Sequence, residues 1–173
     1  MTITPMIVST DTPTYKLVDE AIYLAIQNLE FAYARSLDTF RLDEWVNYFA
    51  DDCAYKVIPR ENVERGLPVG VIFCNTKGML RDRVRSIQEA NIYNIHYPRH
   101  CITNIEVLST IDGVFEVYAN YVVYQTDQEG QTRLFSVGQY HDHIVFVEGV
   151  PKFQSKVVIV DTFSIPNLLA IPL

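Results

Sequence analysis

The chain has 173 residues, of which 49% are hydrophobic and 20% are charged, and its formal net charge at pH 7 is -7. This length predicts one domain with a substantial core. The excess of acidic residues argues against binding to nucleic-acid phosphates or to an anionic membrane surface.

The cysteines and the first residues indicate a cellular compartment. Cys53, Cys74 and Cys101 are too sparse for a disulfide framework and predict reduced thiols. Residues 1–13 carry no basic side chain before their short apolar patch, which is not typical of a secretory signal, and no apolar run approaches the length of a membrane span. We therefore expect a cytoplasmic protein with a single domain, residues 1–173, of which 1–13 form an N-terminal arm.

The first predicted helix covers residues 14–36. Apolar side chains recur there at three- and four-residue spacing and form one stripe: Val18, Ile22, Ala25 and Leu29. Thr12 or Thr14 could cap the start of this helix, with Pro13 in its first turn.

Shorter elements follow up to residue 91. A second helix is predicted over 42–49, a strand over 53–59 and a loop over the polar segment 60–68. A third helix is predicted over 76–89, because Asn75-Thr76 has capping chemistry. Its inward side chains are expected to be Met79, Leu80, Val84 and Ile87, and its outward ones Lys77, Arg81, Arg83 and Arg85.

Strand patterns dominate the second half of the chain. Four long strands are predicted, over 99–109, 114–126, 133–147 and 152–163. Because the connections between them are short, the strands are expected to form an antiparallel meander. Helices followed by a long curled antiparallel sheet make an α+β layout, in which three N-terminal helices cover the concave face and form a cone.

Two sets of apolar residues in this layout are expected to be buried. The strand that begins at Val114 is apolar at both alternating sets of positions, whereas a sheet covered on one face should alternate apolar with polar residues. We expect the helices to cover one face of this strand and a second subunit the other. The apolar residues 168–173 are expected to be buried in the core or against a partner.

The first candidate catalytic cluster contains His96 and His100. Their spacing would suit two metal ligands on a helix, but Pro98 lies between them and argues against a helix. No nearby carboxylate completes a metal triad. Two interpretations stay open: Arg99 and His100 hydrogen-bond neighbouring strands or a partner, or His100 acts as a general acid or base inside the cone.

The second candidate cluster is His141-Asp142-His143. On a strand the two imidazoles face one way and the carboxylate the other, and a third metal ligand is not evident. This favours a solvent or interface edge. A cone can also bury a carboxylate and raise its pKa, which would make a base. The candidates for that role are Asp52, Asp142 and Asp161.

Motifs for cofactors are missing from the sequence. It contains no C-x-x-C pair and no other iron–sulfur ligand set. It contains no G-x-G-x-x-G, phosphate loop or G-x-S-x-G. The segment from Gly66 to Gly70 has the wrong spacing for phosphate binding and predicts a turn.

A series of short segments occurs in the order and spacing of a known family. The segments are 45–49, 51–55, 66–70, 79–83, 90–93, 97–100, 103–104, 138–142 and 168–173. Through them the chain resembles the small (beta) subunit of bacterial aromatic ring-hydroxylating dioxygenases, which are Rieske non-haem iron oxygenases. The run through Asn91, Tyr93 and His100 resembles branches that act on aromatic carboxylates, such as terephthalate dioxygenase or salicylate 5-hydroxylase.

The resemblance implies a fold, partners and a role. The family's small subunit has the NTF2-like cone fold of nuclear transport factor 2, scytalone dehydratase and ketosteroid isomerase. It assembles with the large (alpha) subunit and with copies of itself, usually as an α3β3 hexamer. The large subunit holds the Rieske [2Fe-2S] cluster and the mononuclear Fe(II), and the reductase or ferredoxin acts through it. The small subunit is structural, so the resemblance implies no catalytic, cofactor-binding or metal-binding residue in this chain.

Two other functions stay open at this point. One is a stand-alone isomerase or dehydratase of the SnoaL or ketosteroid isomerase type, which requires a pocket that holds His100 or a buried aspartate. The other is a binding module for a small apolar ligand, which would be stabilised by that ligand in the absence of a partner.

Overall fold

The computed structural model describes residues 18–89, 95–162, 169 and 171–173. The helices in this part of the chain are α1 (Glu20–Asp38), α2 (Leu42–Asn47), α3 (Arg60–Glu64) and α4 (Lys77–Glu89). The strands are β1 (Phe49–Pro59), β2 (Ile72–Cys74), β3 (Tyr97–Ile111), β4 (Val114–Thr126), β5 (Thr132–Val147) and β6 (Val150–Val160). This arrangement confirms the α+β cone. No helix within the described ranges has the length and apolarity needed to cross a membrane.

The six strands form one sheet in the order β2-β1-β6-β5-β4-β3. Strands β3 to β6 pair antiparallel with their sequence neighbours, as the short connections predict. Strand β1, however, pairs parallel with β6, so the sheet is mixed. Two strands that pair parallel need a long crossover connection between them, and the segment from α3 to β5 forms this connection. The predicted meander of the four long strands is confirmed, and the parallel pairing of β1 was not predicted.

Helix α1 begins later than its apolar pattern predicts. Its N-cap is Asp19, whose carboxylate accepts hydrogen bonds from the amides of Ala21 and Ile22 at 2.9 and 3.4 Å. The predicted start at residue 14 was therefore wrong. The proposed caps and the arm, residues 1–14, lie outside the described residues. The buried face is also rotated from the predicted stripe and consists of Ile26, Leu29, Glu30, Tyr33, Ala34, Ser36 and Leu37.

Several elements differ in detail from the sequence-based expectation. The predicted loop 60–68 starts with the five-residue helix α3, which follows Pro59, and the three-residue strand β2 was not predicted. Both are too short for a hydrophobic period to show. In α4, Met79 is exposed, whereas Lys77 and Arg83 are half-buried, contrary to their predicted directions. The other predicted inward residues of α4 are buried. Strand β6 ends at Val160, and Phe163 lies outside the described residues.

The helices pack on one face of the sheet, and aromatic side chains fill the space between them. The fully buried members are Tyr33, Trp45, Phe49, Tyr55, Tyr121, Tyr140 and Phe153. Several meet edge to face, such as Tyr33 and Phe153 with ring centroids 5.4 Å apart. We call this helix-covered side the inner face of the sheet.

The opposite, outer face of the sheet is open along β4, whereas Ile58 on β1 and Ile159 on β6, which pair with each other on that face, are buried. Along β4, one alternating set is buried on the inner face: Val117, Ala119, Tyr121, Val123 and Gln125. The other set includes Tyr118 and Val122, which are half-buried, and Tyr124, which is exposed. The helices thus cover one of the two apolar sets, as predicted, and the second remains open to a partner.

The final residues of the chain lie in the core. Ile171, Pro172 and Leu173 are buried, and Leu169 is half-buried. The amide of Leu173 donates to the Tyr55 hydroxyl at 3.0 Å, and the Leu173 carbonyl oxygen accepts hydrogen bonds from the hydroxyls of Tyr33 and Tyr55. The predicted burial of this segment is confirmed for these four residues; Leu168 and Ala170 lie outside the described residues.

We expect Gly138→Ala to lower the free energy of unfolding by at least about 2 kcal/mol. A Cβ at Gly138 would collide with the Ile159 carbonyl oxygen and lie 2.9 Å from the Tyr121 ring. Urea unfolding measures the loss. Gly78→Ala in α4 is the matched control, because its new Cβ would lie 3.6 Å from the nearest atom, the Thr76 hydroxyl oxygen. It should be neutral or stabilise by up to about 1 kcal/mol. Equal effects of the two substitutions would contradict the close packing at Gly138.

Candidate functional site: a buried ion cluster

Three charged side chains meet inside the cone. The ammonium of Lys156 lies 2.9 Å from Glu30 Oε2 and 2.7 Å from Asp142 Oδ2. All three side chains have no solvent exposure. Buried charges are rare unless they are paired, so this group, which we call the Lys156 cluster, is the most unusual chemistry of the described fold.

Each member of the cluster occupies an inward position of its element. Glu30 lies on α1 between Leu29 and Tyr33, on the buried face of the helix. Asp142 and Lys156 are paired in register on β5 and β6, and both face the helices. The cluster therefore links the first helix to two neighbouring strands of the sheet.

Aromatic rings enclose the Lys156 ammonium. It lies 3.7 Å from the ring centroid of Tyr140, 4.4 Å from that of Phe153 and 4.6 Å from that of Tyr33. These contacts are cation–π interactions in a site without water access. Burial raises the pKa of Tyr33 and of Tyr140 well above the usual tyrosine value, so both hydroxyls stay neutral. Burial likewise raises the pKa of Asp142, against the opposing effect of Lys156.

His100 lies in a different place, between β3 and the end of α1. Its Nδ1 is 2.6 Å from Asp38 Oδ1, and its backbone amide donates to the same carboxylate at 3.0 Å. Arg99 Nη1 lies 3.6 Å from Asp38. Asp38 thus binds the edge strand to α1, so Arg99 and His100 have a partner on a helix and not on a neighbouring strand as expected. His96 lies just before β3 and is half-buried.

The second histidine cluster is divided between the two faces of the sheet, as the strand period predicts. His141 and His143 are exposed on the outer face, and Asp142 is buried on the inner face. The His141 ring lies 5.1 Å from that of Tyr118, and partial desolvation lowers the pKa of His141. His143 Nδ1 lies 2.9 Å from the Ser155 hydroxyl.

Of the three candidate buried carboxylates, the structure buries only Asp142. Asp52 is exposed on β1. Asp161 is exposed and lies 2.6 Å from Arg60 Nε. Within the described ranges, no group of three or more histidine, cysteine, aspartate or glutamate side chains is placed to hold a metal ion.

The geometry of the Lys156 cluster suits a structural role better than acid–base catalysis. A general base must reach a proton of its substrate, and none of the three side chains has a solvent-exposed surface. Surface grooves lie beside α4, beside His100 and beside Gln125, and Glu30, Asp142 and Lys156 do not line any of these three.

Sequence reasoning missed two members of the cluster. Glu30 follows Ile26 by four residues and precedes Tyr33 by three, so it occupies the helical stripe. Lys156 shares the inward alternation of Val158 and Val160. A charged residue at the core positions of two separate elements is a signal that a buried ion pair joins them.

Comparisons with known proteins identify the family. The profile of the family described as "Ring hydroxylating beta subunit" matches residues 32–167. The chain belongs to this family. It is 37% identical over 155 residues to the small subunit of anthranilate 1,2-dioxygenase from Burkholderia cepacia, covering 90% of this chain and 96% of the relative. It is 29% identical to the terminal oxygenase component subunit beta 1 of terephthalate 1,2-dioxygenase from a Comamonas species, covering 82% and 92%.

A solved structure agrees with this family of beta subunits. A crystal structure from Novosphingobium aromaticivorans DSM 12444, assigned as the beta subunit of an aromatic-ring-hydroxylating dioxygenase, has a TM-score of 0.82 and 39% identity. It covers 89% of this chain, and the match covers 98% of the relative. The predicted resemblance to small subunits of ring-hydroxylating dioxygenases is confirmed.

Proposed function

We propose that this chain is the structural, non-catalytic small subunit of a multicomponent oxygenase that hydroxylates an aromatic carboxylate. Its partners are a large (alpha) subunit and further copies of itself, in an α3β3 hexamer in the cytoplasm. The large subunit carries the Rieske [2Fe-2S] cluster and the mononuclear Fe(II) and receives electrons from the reductase or ferredoxin. The whole chain, residues 1–173, acts as one domain with 1–13 as an arm.

The family match carries this proposal. The profile spans residues 32–167, which include every helix and strand of the cone except the first three turns of α1. The terephthalate relative is by name a subunit of a terminal oxygenase component, and the anthranilate relative is by name a small subunit. Both relatives act on aromatic carboxylates by name, which supports that substrate class for the assembly.

The chain's own side chains do not fit the iron–sulfur group. A Rieske cluster takes two cysteines and two histidines. Cys53 and Cys74 are buried in the core, where desolvation raises the pKa of both thiols, whereas His141 and His143 lie on the outer face of the sheet. Donors on opposite faces cannot converge, which supports assigning the metals to the large subunit.

The outer face of the sheet supports the assembly. Its half-buried and exposed apolar residues continue across neighbouring strands, from Val122 and Tyr124 on β4 to Leu134 on β5. A neighbouring subunit would cover a surface of this kind.

Co-expression with the large subunit tests the proposal. The two chains should elute together at the mass of an α3β3 hexamer and hydroxylate an aromatic carboxylate. The small subunit purified alone should contain no stoichiometric iron and show no turnover, and elemental analysis and an activity assay measure both. Hydroxylation by the small subunit alone would refute the structural role. A large subunit that is stable and does not bind the small subunit would also refute it.

The alternative of a stand-alone isomerase or dehydratase predicts a different result. In that case the isolated chain would turn over a substrate, and His100→Ala would abolish the activity without unfolding the protein. The hydrogen bonds of His100 to Asp38 predict that His100→Ala lowers the stability of the chain.

A further inference from the structure

The Lys156 cluster has an imbalance of charge. It places two carboxyl groups against one ammonium, at 2.9 Å and 2.7 Å. If both carboxyls were ionised, the cluster would carry a net negative charge in a fully desolvated site. Such a charge costs several kcal/mol by desolvation unless it is neutralised.

The arrangement of the two carboxyl groups also indicates that the negative charge of the cluster is neutralised. Asp142 Oδ2 and Glu30 Oε2 both lie within 2.9 Å of the Lys156 ammonium, so the two carboxyl groups are held close to each other. Glu30 Oε1 and Asp142 Oδ1 are buried, and neither has a donor from the described residues. Two ionised carboxylates are both acceptors, so they cannot hydrogen-bond; one proton between them converts the contact into a hydrogen bond.

We propose that the Glu30–Asp142 pair binds one proton at neutral pH, so that the Lys156 cluster is a neutral, proton-holding site between α1 and the sheet. The Lys156 ammonium lies within 2.9 Å of both carboxyl groups, so one proton on the pair leaves the cluster without net charge. Burial, which raises the pKa of Asp142, agrees with this assignment.

The other titratable groups that face the cluster do not supply the missing charge. Tyr33 on α1 and Tyr140 on β5 contact the Lys156 ammonium, and Tyr55 on β1 and Tyr121 on β4 lie next to these two tyrosines. Burial raises the pKa of Tyr55 to about 12 and raises those of the other three as well. These hydroxyls are neutral, so the balance of charge rests on Lys156 and the two carboxyls.

The proposal predicts a specific dependence of stability on pH. The folded protein keeps the proton, whereas the unfolded chain loses it above the ordinary aspartate pKa of about 4. The unfolded state therefore binds fewer protons, and stability falls as the pH rises toward the raised pKa of Asp142. Alkaline pH should loosen the attachment of α1 to the sheet.

Unfolding of the full chain across a range of pH, compared with Asp142→Asn, tests this dependence. Above about pH 5 the unfolding equilibrium constant of the wild type should rise relative to that of the variant by up to about tenfold per pH unit. Glu30→Gln should behave like Asp142→Asn, because either substitution removes the extra proton site. Asp112→Asn, at an exposed turn, is the control and should follow the wild type. Parallel curves for the wild type and both core variants would overturn the proposal.

Infrared spectroscopy of the wild type decides the question even if a variant fails to fold. At neutral pH exposed carboxyls are ionised, so the carbonyl stretch of a protonated carboxylic acid should come from the cluster alone. The band should disappear on unfolding at the same pH. A folded wild-type protein without this band would overturn the proposal.

Discussion

Replacing Lys156 with methionine is expected to lower the free energy of unfolding by about 3–5 kcal/mol at neutral pH. The methionine fills a similar volume among Tyr33, Tyr140 and Phe153, but it leaves two fully buried carboxyls without a cation. The loss should be smaller at acidic pH, where both carboxyls can take up protons. Urea unfolding at two pH values measures both effects.

Two further variants give this prediction its controls. Lys152→Met removes another lysine of β6, one that donates to the Asn47 carbonyl oxygen near the surface, and should cost no more than about 1.5 kcal/mol. Combining Lys156→Met with Glu30→Met and Asp142→Leu should recover most of the lost stability, because an apolar set replaces the whole ion cluster. If Lys156→Met lowers the free energy of unfolding no more than Lys152→Met does, the charges of the Lys156 cluster do not contribute to stability.

The long elements could be predicted from the sequence because each carries a strong period. Strand β4 occupies the predicted residues 114–126, and α4 begins one residue inside the predicted range. The short elements α3 and β2 carry no period that could reveal them. The parallel pairing of β1 with β6 joins strands that are distant in sequence, and no local pattern encodes such a contact.

The candidate site was less predictable than the fold, for a physical reason. His100 and Asp142 are candidates because their residue types suit catalysis, yet His100 is paired with Asp38 of a distant element, and Asp142 is paired with Lys156, which also binds the distant Glu30. Asp38 lies 62 positions from His100, and Glu30 lies 126 positions from Lys156. Spacing along the chain reports which face a residue occupies, but it does not report which residue of another element meets it there.

Deletion of residues 168–173 is expected to prevent folding or assembly. Ile171 and Leu173 are almost fully buried, and each such side chain contributes about 1.5–3 kcal/mol. The deletion also removes the Leu173 groups that bind the hydroxyls of Tyr33 and Tyr55, and a buried unsatisfied polar group costs about 1–3 kcal/mol. The sum is comparable with the whole stability of a typical domain, which is about 5–15 kcal/mol. Solubility and co-elution with the large subunit measure the outcome.

Milder substitutions separate packing from hydrogen bonding in this segment. Leu173→Ala keeps the backbone contacts to Tyr55 and should cost about 2–5 kcal/mol through the cavity it creates. Val69→Ala, at a position with 65% exposure, is the matched aliphatic control and should be close to neutral. A shortened chain that stays soluble and still joins the large subunit would show that the core does not depend on these residues. The buried positions of Ile171 and Leu173 argue for the opposite result, because both side chains belong to the main hydrophobic core.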